Sequence, residues 1–149
     1  MEVMKMKSKY CDNDQYCILV DGIPLDLSIQ TLNPEGAYEG LVPTILDRID
    51  EPREKSFVLS RYKSLEQIVV LPILMCPDDC DLWCTLIVVE VQKEGSFIKW
   101  NRVGLNRSTR EELIIGYDCI GTRVDWLNKF PSMTFDQGEY YSQINKLLS

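Results

Sequence analysis

The stretch that decides the fold runs from Gln67 to Leu105, QIVVLPILMCPDDCDLWCTLIVVEVQKEGSFIKWNRVGL. Gln67 to Met75 is apolar and β-branched on both faces, the pattern of a buried strand, with Pro72 marking a bulge or the sheet rim. Leu82 to Gln92 reads as the strongest strand of the chain. Trp83, Thr85, Ile87, Val89 and Val91 line one face and Cys84, Leu86 and Val88 the other. Lys93 to Ser96 is a loop of hairpin length. Phe97 to Leu105 returns with Ile98 and Trp100 facing inward and Lys99 and Asn101 facing water, and Trp83 and Trp100 are placed to pair across the sheet.

Outward from this core, Tyr16 to Val20 and Ile23 to Leu27 read as strands around the Asp21-Gly22 turn, with Pro24 at an edge or bulge. A short helix is expected over Pro43 to Arg48. Ser56 to Arg61 reads as a strand with Phe57 and Leu59 on one face. Ser108 to Glu111 has the spacing of a capping box opening a helix to Ile115 that Gly116 stops, and Val124 to Leu127 is a strand or helical turn. Trp126, Phe130, Met133 and Phe135 form an aromatic cluster. Thr134 to Gln137 is a second capping box, before a helix that carries Tyr140, Ile144 and Leu147 on one stripe. The expected architecture is one α+β domain over residues 1–149. It has a mainly antiparallel sheet of three to five strands, short helices and a C-terminal helix packed on one face, and the first nine residues read as flexible.

At 149 residues with 45% hydrophobic content the chain is sized for a single core. It holds no apolar run of transmembrane length and no signal-like start, which predicts a soluble, cytoplasmic protein. Histidine is absent, so Ser-His and Cys-His catalysis and histidine metal sites are excluded. The net charge is −7, with eight acidic residues and one arginine between Cys11 and Asp50. Such a balance disfavours nucleic acid as partner and favours a basic one. The six cysteines lack zinc-type spacing, and without a secretory signal they are expected to be reduced, with Cys17 and Cys84 as small core residues. No phosphate-binding loop or nucleophile elbow is present. These absences argue against an enzyme and call for no cofactor and no metal.

Asp78, Asp79 and Asp81 crowd the loop between the two strongest strands, with Trp83 just after them. Three carboxylates in four residues suit a solvated turn, a contact point for a basic partner, or oxygen ligation of a divalent cation. The spacing lacks the glycine and distant glutamate of an EF-hand.

The segment Val69 to Leu105, together with VDWLNKF and the FDQGEYYSQINKL helix after it, resembles immunity proteins of bacterial polymorphic toxin systems, in particular those of contact-dependent growth inhibition. The strand, acidic turn, strand, short loop and strand ending in Trp-x-Arg-x-Gly carry the likeness over about half of the chain. The resemblance implies a non-enzymatic inhibitor that binds a cognate toxin C-terminal domain, commonly a basic nuclease, in the cytoplasm. It places the toxin-binding residues at Asp78, Asp79, Asp81 and Trp83, with Asp47, Asp50 and Glu51 as a second patch. The oligomeric state stays open. The alternatives are a carboxylate-based metal- or small-ligand-binding enzyme and a structural interaction module.

Overall fold

Two long apolar strands joined across an acidic segment become the centre of a six-stranded antiparallel sheet. The computed structural model describes residues 1–8, 11–77 and 81–148. Strands β1 (Glu2–Ser8), β2 (Cys11–Val20) and β3 (Ile23–Pro24) form a small antiparallel sheet, followed by helix α1 (Leu25–Leu32). Strand β4 (Val42–Pro43), a 3₁₀ turn at Leu46–Arg48 and helix α2 (Pro52–Tyr62) lead into β5 (Ile68–Met75), β6 (Ile87–Glu94) and β7 (Phe97–Asn106). Helix α3 (Arg110–Ile115), a 3₁₀ turn at Tyr117–Cys119, β8 (Val124–Trp126), β9 (Met133–Asp136) and helix α4 (Gln137–Ile144) complete the order. The large sheet runs β4-β5-β6-β7-β8, with β9 also paired to β7.

The α+β class, the antiparallel sheet and the C-terminal helix hold, and both faces of the sheet are covered. Successive strand residues point to opposite faces, and Val88 and Val89 accordingly belong to different cores. One core gathers Leu71, Val89, Ile98 and Trp100 beneath α1, α4 and the small sheet. The second places Val88 and Met75 beneath Phe57 and Val58 of α2 and Leu113 of α3. In the first core the Trp100 ring stands edge-on to Phe135 and Tyr140, and its indole N–H donates to the Tyr140 hydroxyl at 3.2 Å. Tyr140, Ile144 and Leu147 are all buried, as their common stripe predicts.

Several local expectations are corrected. Ser56 to Arg61 is helix, because Pro52 opens α2 at its first turn and Glu51 caps it by accepting from the Glu54 amide at 3.1 Å. The second strand around Asp21-Gly22 stops at Pro24. Leu25 and Ile29 are one helical turn apart and both buried, and that period outweighs the alternation of Ile23, Leu25 and Leu27. The two-residue turn itself is as expected, with positive φ at Asp21 and Gly22. Instead of a helix over Pro43 to Arg48 there is a short strand and one 3₁₀ turn. The first residues pair as β1 along β2. The outer edge of β1 is capped by the end of α4 and the 3₁₀ turn Asn145–Leu147 that follows it: the Val3 amide donates to Gln143 and Lys146 donates to the Val3 carbonyl.

The capping boxes also shift. Thr109 with Glu112, rather than Ser108 with Glu111, opens α3, and Asp136 accepting from the Glu139 amide opens α4. Trp126 faces the second core, away from Phe130, Met133 and Phe135. A register shift at Glu90 leaves Asn101 as the extra residue of a bulge, which turns Arg102 outward from the sheet. There Arg102 pairs with Glu90 at 3.0 Å and its guanidinium lies 3.9 Å over the Trp126 ring. Gly104 makes room for that arrangement, since a Cβ there would overlap Val124 and Trp126. The Trp-x-Arg-x-Gly motif therefore joins one inward anchor, one outward cation and one close approach between strands.

Candidate acidic interface

Strand β6 begins at Ile87, so Leu82 to Cys84 lie outside the sheet in the segment leading into it. Trp83 consequently does not pair with Trp100; Val91 is the residue opposite Trp100. Leu82 is buried in the second core, and Trp83 packs half-buried against the same cluster. Asp81 shapes this segment, its carboxylate accepting from the amides of Trp83 at 3.0 Å and Cys84 at 3.3 Å.

The partner of the segment is the start of α2. The Glu54 side chain is only 3% exposed and accepts from the Leu82 amide at 2.8 Å. Burial pushes its carboxyl above the ordinary range, the Leu82 amide opposes that rise, and the negative charges of Asp81 and Glu51 add to it. Glu51 behaves differently. Desolvation pushes its carboxyl up, but the amides of Arg53 and Glu54 and the Arg53 guanidinium hold it below its usual range. Asp47 and Asp50 stand exposed on either side of Ile49, whose side chain is fully buried in the second core.

Tyr117 joins this group from the far side. Its ring lies 6.0 Å from that of Phe57, and its hydroxyl lies beside the Trp83 indole. Burial raises its phenol, with the neighbouring Trp83 indole opposing and the charges of Glu54 and Glu51 adding to the rise. Arg61 fastens the two segments behind the ring: its guanidinium donates to the carbonyls of Val70, Asp118 and Ile120 and sits 4.7 Å over Phe57. Just before Tyr117, Ile114 and Ile115 at the end of α3 are 70% and 91% exposed.

Of the residues named from sequence, Glu51 is brought to Asp81 and Trp83 where the Glu51–Glu54 turn meets the Asp81–Trp83 segment, while Asp47 and Asp50 stand exposed in the chain before that turn. Asp78 and Asp79 lie outside the described residues. Glu54 and Tyr117 complete the site and were not singled out from sequence. The Glu51-Pro52-Arg53-Glu54 pattern, a cap followed by proline at the first helical position, is the signal that would have found Glu54. Tyr117 has no such local signal.

Cys84 is exposed rather than a core residue, and it is disulfide-bonded to Cys76, with Cα atoms 6.1 Å apart. The expectation that the cysteines are free therefore fails for this pair, because β5 and the segment before β6 bring the two together at the neck of the acidic loop. Among the described residues no group of three acidic or cysteine side chains is placed to hold a metal ion. No helix among them is long and apolar enough to cross a membrane. No protein-family model, curated protein or solved structure matches the chain.

Proposed function

We propose that this protein is an immunity protein: a stoichiometric, non-catalytic inhibitor that neutralises a basic bacterial toxin domain, a nuclease by preference, in the cytoplasm. The observation that supports the reading is the convergence of Glu51, Glu54 and Asp81 around the half-buried Trp83–Tyr117 pair. The partly exposed carboxylates of Glu51 and Asp81 speed encounter with a basic surface and imitate the charge of a phosphate backbone, while the buried Glu54 ties their two segments together. A half-buried tryptophan beside it is the residue type that most often anchors an interface. The exposed Ile114 and Ile115, close in sequence to Tyr117, add apolar area to the same neighbourhood.

The reading is tested by calorimetric titration with the toxin C-terminal domain encoded beside this chain, at low and high salt. The expected result is one-to-one binding that weakens with salt and weakens further in Asp81→Asn, which keeps the oxygen that caps Trp83 and Cys84 while removing the charge. Tight binding indifferent to salt and to Asp81→Asn keeps the partner and removes this face. No binding at low salt overturns the proposal.

A further inference from the structure

We propose that the Cys76–Cys84 disulfide is a reducible clamp on the acidic face, opened by attack of a dithiol on the Cys84 sulfur. The ladder between β5 and β6 ends at the Leu74–Ile87 pair. Beyond it the Thr85 amide donates to Cys76 Sγ at 3.2 Å. Backbone pairing therefore holds the two strands together up to Leu74–Ile87 without the disulfide, and past that point the chains are joined through the Cys76 sulfur. What the disulfide adds is a tie on Cys84, one residue from Trp83 and two from the Leu82 amide that Glu54 holds.

The two sulfurs are not equivalent. Cys84 is exposed and Cys76 half-buried, so an incoming thiolate reaches Cys84 first. The electron pair of the broken S–S bond then goes to Cys76, whose thiolate is received by the Thr85 N–H. The second thiol of the reductant displaces Cys84 from the mixed disulfide. The balance is two protein thiols and one oxidised dithiol, with two electrons and two protons transferred. In a glutathione-buffered compartment the closed clamp is a transient state, whereas in an oxidising one it persists. Opening leaves the sheet intact and frees Leu82 and Trp83 to leave Glu54 and Tyr117, so the acidic face exists in a held and a released form.

The test uses the full chain without any partner, so its outcome is independent of the toxin reading. Air-oxidised protein is alkylated, digested and mapped, with and without dithiothreitol under native conditions, and amide exchange at Leu82 is followed in parallel. The expected result is a Cys76–Cys84 link lost on reduction, with exchange at Leu82 faster by about tenfold or more through local opening while the β6 and β7 amides stay protected. Cys84→Ser should show the fast exchange without reductant, and Cys80→Ser should behave as the unaltered chain. Free thiols at both positions, a link through Cys80, resistance to dithiothreitol in the folded state, or unchanged exchange at Leu82 after reduction would each overturn the clamp.

Discussion

The Glu54 carboxylate accepts a hydrogen bond at 2.8 Å from the amide of Leu82, 28 residues away, and both groups are buried. This bond joins the first turn of α2 to the segment entering β6. It also fixes an acidic side chain where its own charge is poorly solvated and two further carboxylates face it.

Glu54→Ala should destabilise the chain by about 1–3 kcal/mol, because the Leu82 amide is left buried without an acceptor. Urea unfolding at neutral pH measures this, and a loss under about 0.5 kcal/mol would mean that water takes the place of the carboxylate.

Glu54→Gln should show a stability difference from the unaltered chain that depends on pH. A raised carboxyl binds its proton more tightly in the folded state than in the unfolded one. The stability this contributes is complete below the ordinary value of 4.5 and is lost as pH rises through the higher folded value. The substituted amide keeps the acceptor oxygen and carries no charge, so the variant should gain relative to the parent as pH climbs through that window. Urea midpoints compared pairwise from about pH 4 to 7 would show it, and a difference that is flat or falls with pH contradicts the assignment.

Reversing the exposed charges in Asp47→Lys with Asp50→Lys should leave folding within about 0.5 kcal/mol, as surface substitutions usually do. It should slow association with the proposed basic toxin domain by about tenfold at low salt, with little change in dissociation. Stopped-flow binding at two ionic strengths separates these rates. An effect confined to dissociation would place the two aspartates inside the contact instead of on its rim.

Gly104→Ala should cost about 1–3 kcal/mol through overpacking, since the added Cβ meets Val124, Trp126 and the Asp125 carbonyl where β8 lies against β7. Thermal unfolding reads the loss. A near-neutral result would mean that β8 moves away easily, which loss of the Arg102–Trp126 stacking would then reveal in the tryptophan emission.

Tyr140→Phe should destabilise by about 1 kcal/mol, because the buried Trp100 indole N–H loses its acceptor while the edge-on ring contacts remain. Unchanged stability would indicate another acceptor for the indole, and a shifted indole N–H resonance would locate it.

How far the chain could be read beforehand follows the range of the forces involved. Strands β5, β6 and β7, the bulge at Pro72, the Asp21-Gly22 turn and the buried stripe of α4 rest on short-range patterning and turn chemistry, and so they are legible in the residues themselves. Where two periods compete over few residues, as at Ser56 to Arg61 and Leu25 to Leu27, alternation and helical spacing look alike. The start of α2 at Pro52 and the burial of Ile29 decide for helix. The site is of another kind. Composition and spacing alone determined that carboxylates are concentrated around Asp47 to Glu51 and around Asp81, with no histidine anywhere to use them with. That these segments meet, that Glu54 and Tyr117 complete the group, and that Cys76 and Cys84 bond across the loop are products of chain folding. Each depends on contacts between residues distant in sequence or on the exit angle of a strand, and only the packing of α2 and the Tyr117–Cys119 turn over one face of the sheet brings them about.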